Sequence, residues 1–200
     1  MRFLALGDSY TIGESVAVKD RWPVQLTRLL REAEFDFDDP TLIAQTGWTT
    51  DELNAAIDRA DPTGPYDLVS LLIGVNNQYR GREEAEYRTE FVALLNRAIG
   101  FAGGRAGRVL VLSIPDWGVT KFAAQAGRDR AAIAIAIDRF NGINREESER
   151  AGVAYIDVTP ISREAVNNPS LIAEDGLHPS GAMYADWARL AYPVVCELLR

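Results

Sequence analysis

Cysteine and histidine are almost missing from this 200-residue chain: Cys196 and His178 are each the sole residue of their kind. A single thiol cannot close an internal disulfide. Nor can one Cys and one His supply the multi-cysteine or paired-histidine ligand sets of zinc sites, so no metal is expected. Positive charge is scarce as well. Lys and Arg number 21 against 29 Asp and Glu, a formal net charge of −8. A general nucleic-acid binder needs a basic surface to displace counterions, and anionic lipid attracts polybasic segments. No apolar run approaches the ~20 residues that span a bilayer. Met1–Leu6 is too short to serve as a signal peptide before Gly7-Asp8 interrupts it. These absences set the expectation of a cytoplasmic protein with no nucleic-acid or membrane partner.

What is present reads as one domain over residues 1–200. Hydrophobic residues make up 47% and charged residues 25%, which excludes intrinsic disorder. A chain of this size buries roughly 70% of the surface it exposes when unfolded. Short apolar runs alternate with longer amphipathic stretches. Residues 3–6, 41–44, 68–73, 109–112 and 153–156 read as strands. Helices are predicted over about 21–32, with Asp20 as cap and Pro23 in the first turn; from the capping box at Thr49-Thr50-Asp51-Glu52 to about residue 60; and over about 83–99. In that third helix Tyr87, Phe91, Leu94 and Ala98 share a face, and Glu84 is spaced to pair with Arg88. The alternating run Ile133–Ile137 could pass for a strand, but its alanines and the shared face of Ile133, Ile137, Phe140 and Asn144 favour a helix over about 129–150. A closing helix covers 182–199, with Pro193 expected to kink it. Strands separated by helices imply a parallel sheet covered on both faces, and such sheets bind ligands beyond the carboxyl ends of their strands.

Those strand exits carry the candidate chemistry. Gly7-Asp8-Ser9-Tyr10 follows the first strand and presents a hydroxyl on a tight turn, although a capping turn has the same composition. It is not Gly-x-Ser-x-Gly, since Thr11 stands where the second glycine would be, and no Gly-Lys-Ser/Thr occurs for a P-loop. Asp175-Gly176-Leu177-His178-Pro179 places a carboxylate three residues before the only imidazole. A base held by a carboxylate has its tautomer fixed and its protonated form stabilised; an ordinary exposed loop histidine is the alternative. Gln45-Thr46-Gly47-Trp48 and Gly74-Val75-Asn76-Asn77 follow the second and third strands. The glycine allows close backbone approach and the amide can donate without titrating, although turns use the same residues routinely.

Taken together and in order, Ala5-Leu6-Gly7-Asp8-Ser9-Tyr10, the block around Gly47, Ile73-Gly74-Val75-Asn76-Asn77 and Asp175–Pro179 resemble the SGNH hydrolases, also called the GDSL esterase/lipase family. Arg139-Phe140-Asn141 and Tyr155–Thr159 also resemble segments of that family, so the likeness covers nearly the whole chain. Tyr10 replaces the family's common Leu, and Asn77 stands where Asp is usual. The resemblance implies an α/β fold, a three-layer α/β/α sandwich on a five-stranded parallel sheet in flavodoxin-like order. It implies Ser9 as nucleophile, His178 as general base and Asp175 as its orienting acid. The backbone N–H groups of Ser9 and Gly47 and the amide of Asn76 would form the oxyanion hole. No cofactor is implied. Asn77, at a supporting position, is expected to alter loop packing and leave the chemistry intact.

For substrate contacts the sequence offers Tyr79, Arg80 and Trp117, with Phe122 nearby. An arginine here suits a carboxylate or phosphate, unless Arg80 and Arg82 pair with acids on the helix that starts near Glu83. The expected partner is a small ester: short acyl groups on small soluble alcohols or sugars. A lysophospholipase or thioesterase of the same family is the alternative, and a flavodoxin-like binding module without hydrolytic activity is the reading from another class.

Overall fold

The computed structural model describes residues 1–200. In chain order its main elements are β1 (Phe3–Gly7), α1 (Ser9–Ile12), α2 (Trp22–Glu32), β2 (Thr41–Ala44), α3 (Thr50–Ala60), β3 (Leu68–Leu72), α4 (Val75–Tyr79), α5 (Glu84–Phe101), β4 (Val109–Leu112), α6 (Lys121–Gln125), α7 (Arg130–Ala151), β5 (Ala154–Ile156), α8 (Thr159–Arg163) and α9 (Gly181–Leu199). All strand pairs are parallel, in the order β2-β1-β3-β4-β5. That is the flavodoxin-like order which the motifs implied.

β1, β3 and β4 are buried at every position, because helices cover both faces and apolar side chains are tolerated on each. α2 packs on α9, while α3, α5 and α7 lie side by side. The buried apolar residues form one cluster of 50. In α5 the predicted stripe of Tyr87, Phe91, Leu94 and Ala98 is wholly buried. In α7, Ile133 and Ile137 are buried while Ile135 is 56% exposed, so the period is helical and the alternation of Ile and Ala carries no strand. Its N-cap is Asp129, whose carboxylate accepts from the amides of Ala131 and Ala132.

Two local expectations are corrected. Asp20 does not cap α2. It ends a short 3-10 turn, and Arg21 holds the cap position without a side-chain bond. Glu84 and Arg88 do not pair within α5: Arg88 reaches Glu146 and Glu147 on α7, and Glu84 lies 3.6 Å from Arg139. Interhelix pairing wins because Glu147 is buried and a partner there offsets its desolvation. Pro193 sits inside α9, which continues through it to Leu199.

The strand register sets the site. Gly7 is level with Ala44 on one side and Leu72 on the other, and Leu112 is level with Ile156. The residues that follow these strands therefore emerge side by side at one edge of the sheet. A methyl group at Gly7 would come 2.2 Å from the Thr11 hydroxyl oxygen and 2.4 Å from the Leu72 carbonyl, so only glycine allows β1 and β3 to turn out together.

Candidate active site

Ser9 is the first residue of α1, and Asp8 caps that helix by accepting the Tyr10 amide at 3.0 Å. Asp8 is fully buried and its second oxygen has no partner. Burial pushes its carboxyl up to about 7, opposed by the backbone bonds from Tyr10 and from its own amide. Ser9 is 4% exposed. Its hydroxyl oxygen makes no hydrogen bond to His178, yet both side chains line one cavity of about 180 Å³, together with Tyr10, Asn76, Tyr79 and Trp117. Val75, Phe122 and Leu177 complete the lining.

The turn before α9 builds the imidazole's support. One Asp175 oxygen accepts the backbone amides of Leu177 and His178 at 2.9 and 3.0 Å. The other lies 2.6 Å from His178 Nδ1. Burial alone would raise the Asp175 carboxyl. The bonds from His178, the Leu177 amide and Ser15 outweigh it and hold the group well below the usual carboxylate range. Ser15 was not anticipated: its hydroxyl donates to the same oxygen at 2.7 Å, from a left-handed backbone conformation (φ 63°). No sequence signal marks it, because 160 residues separate the two partners. The Tyr10 ring meets the imidazole edge-on at a centroid distance of 5.9 Å, with Trp187 behind it. Tyr10 thus packs against the imidazole.

Gly47 lies in the turn after β2 at φ 89°, with open space where a side chain would project. It is not part of the cavity lining. Asn76 ties the neighbouring exits together by donating to the Trp48 carbonyl at 2.9 Å. Arg80 is placed differently from the expectation of a substrate contact. Its guanidinium donates to the Gly47 carbonyl at 2.7 Å and pairs with Glu52 at 3.4 Å, which leaves it bracing the Gly47 turn. Arg82 is paired as well, with Asp51 at 3.2 Å and Glu86 at 3.6 Å. Tyr79 and Trp117 do line the cavity, and the Trp117 indole donates to Gln78 at 2.8 Å.

Asn77 is fully buried beside Thr50. Its carbonyl accepts the Thr50 amide at 3.1 Å, and its amide donates to the Thr50 hydroxyl at 2.6 Å. That hydroxyl has one proton, which goes to Glu90, so position 77 must supply a donor. An aspartate there would face Glu90 across a single proton. Asn77→Asp is expected to destabilise the fold by about 1–3 kcal/mol in urea denaturation at neutral pH, with part of the loss recovered by Glu90→Gln. An unchanged midpoint in Asn77→Asp would contradict the arrangement.

No three His, Cys, Asp or Glu side chains converge as metal ligands, and no helix is long and apolar enough to cross a membrane. A sequence model of the GDSL-like lipase/acylhydrolase family matches residues 5–185. No curated protein matches the chain. Among solved structures, TesA superposes with a TM-score of 0.75 at 18% identity, covering 100% of both chains. A lipase/acylhydrolase from Enterococcus faecalis gives 0.74 at 19%, covering 100% of this chain and 98% of the other. Axe2, an acetylxylan esterase from Geobacillus stearothermophilus, gives 0.74 at 18%, covering 100% and 96%. At such identities the superpositions speak for the fold.

Proposed function

Since the chain belongs to the GDSL-like lipase/acylhydrolase family and is thereby an ester-bond hydrolase, we propose that it is a serine esterase acting on short acyl esters of small soluble alcohols or sugars. The observation that carries this reading is the convergence of Ser9, Asn76 and His178 on one small cavity, with His178 held by Asp175. Ser9 attacks the ester carbonyl while His178 Nε2 takes its proton. The Ser9 and Gly47 amides and the Asn76 side chain stabilise the oxyanion. Donors of this kind are worth roughly 3–4 kcal/mol each when removed singly. His178 then protonates the leaving alcohol, and water activated by the same imidazole releases the acid. Asp175 keeps Nδ1 protonated throughout and stays ionised.

The cavity supports the preference for small groups. Its volume of about 180 Å³ falls below the ~300–1,000 Å³ of pockets that enclose drug-sized ligands. Six of its nine lining residues are hydrophobic, which suits an acyl chain of a few carbons. The neighbour Axe2, named as an acetylxylan esterase, is compatible with a short acyl group. A panel of 4-nitrophenyl esters from acetate to dodecanoate, run beside a lysophospholipid and an acetylated xylo-oligosaccharide, tests this. kcat/KM is expected to peak between two and six carbons. A maximum at ten carbons or beyond, or lysophospholipid as the best substrate, would replace the small-ester reading with a lipolytic one.

A further inference from the structure

The aromatic wall of the cavity has a second side. Tyr79 and Trp117 also line an open depression of about 470 Å³. There the Arg128 guanidinium carbon lies 5.2 Å from the Tyr79 ring centroid and 5.9 Å from that of Trp117. These rings are the partners of the Arg128 side chain, which forms no ion pair and no hydrogen bond. The other charged groups of the depression are engaged: Arg80 with Gly47 and Glu52, and Asp129 with the first amides of α7. A guanidinium held over aromatic rings spends none of its N–H donors on them, so the fork that matches a carboxylate or phosphate stays available. Tyr79 beside it is 44% exposed, so the shelf is open to a ligand. The chain's net charge of −8 repels anions at range. An unpaired cation beside the cavity is therefore where an anionic group would gain most.

We propose that Tyr79, Trp117 and Arg128 form a subsite for an anionic group on the ester, a carboxylate or a phosphate carried across the aromatic shelf to the guanidinium edge. The inference rests on the ester-hydrolase reading and narrows its substrate class to negatively charged esters. Arg128 acts on binding and takes no part in the bond changes.

The test pairs neutral and charged esters of equal length. Aryl butanoate, pentanoate and hexanoate are set against aryl hemisuccinate, hemiglutarate and hemiadipate. Monoacetylglycerol is set against acetylglycerol phosphate, so that the two sets separate an anion on the acyl half from one on the alcohol half. For the wild type, at least one charged ester is expected to show a KM several-fold below its neutral counterpart. Arg128→Gln should raise that KM roughly 5- to 10-fold and leave the neutral esters unchanged, while Arg128→Lys recovers part of the effect. Equal changes for charged and neutral esters, or none in either, would overturn the subsite. Calorimetric binding of adipamate, which has no ester bond, and of phenyl phosphate to wild type and Arg128→Gln reads the subsite without turnover. If every ester, neutral and charged, proves inert in the wild type, the hydrolase reading fails, and binding lost in Arg128→Gln still supports the subsite. Equal binding by the two proteins overturns it.

Discussion

Ser9→Ala lowers kcat/KM for a short aryl ester by roughly 10⁴- to 10⁶-fold and leaves the folded protein intact. The two halves of that expectation have separate grounds. Chemically, Ser9 supplies the only aliphatic hydroxyl in a cavity that also holds the imidazole. Without it the remaining donors could still polarise a carbonyl, which leaves a residue of catalysis by water. Structurally, the Ser9 hydroxyl makes no hydrogen bond, and its backbone role at the start of α1 is set by the Asp8 cap, which alanine does not disturb. Catalytic bonds of this kind are often long before substrate binds and tighten in the complex. A fluorophosphonate probe gives the same answer without a substrate: the adduct should map to Ser9 and vanish in Ser9→Ala. Turnover within tenfold of wild type in the variant, or labelling elsewhere, would remove Ser9 from the mechanism.

Asp175→Asn is expected to lower kcat by about 10⁴ with little change in KM. One carboxylate oxygen accepts two backbone amides, so an asparagine carbonyl will take that place and turn its NH₂ toward His178 Nδ1. Nδ1 must then accept, which forces the ring proton onto Nε2, where it can no longer take the serine proton. The Ser15 hydroxyl, which now donates to the carboxylate, would have to reverse. The pH dependence has a definite sign. Because the Asp175 carboxyl is held well below the usual range, its pairing with His178 is present above the ordinary carboxylate pKa. That contribution is lost only as pH falls through the depressed value. At milder pH the support that Asp175 gives His178 is therefore intact. Asp175→Asn within tenfold of wild type would exclude this assignment.

The elements that were legible in the sequence are those whose signal is local. The capping box at Thr49 and Glu52, the shared face of Ile133, Ile137 and Phe140 in α7 and the buried stripe of α5 each depend on residues a few positions apart. The short helices at the strand exits were not legible. α1 and α4 have four and five residues, too few for a periodic pattern to show. Arg80 illustrates the same limit within the site. Its type suited an anionic substrate, but its partners, Gly47 and Glu52, lie about thirty positions back and belong to another loop.

By itself the sequence determined the family, the alternation of strands and helices, and the identity of Ser9, Asp175 and His178 as the residues to watch, because motif order and hydrophobic period are properties of the linear chain. Tertiary structure alone decided how large a group the cavity admits, that Ser15 shares the carboxylate with His178, that Arg80 braces a turn, and that Arg128 stands unpaired over two rings. Each of these depends on distances between segments far apart in the chain, and such distances are set only when the strands pair in register and their exits meet.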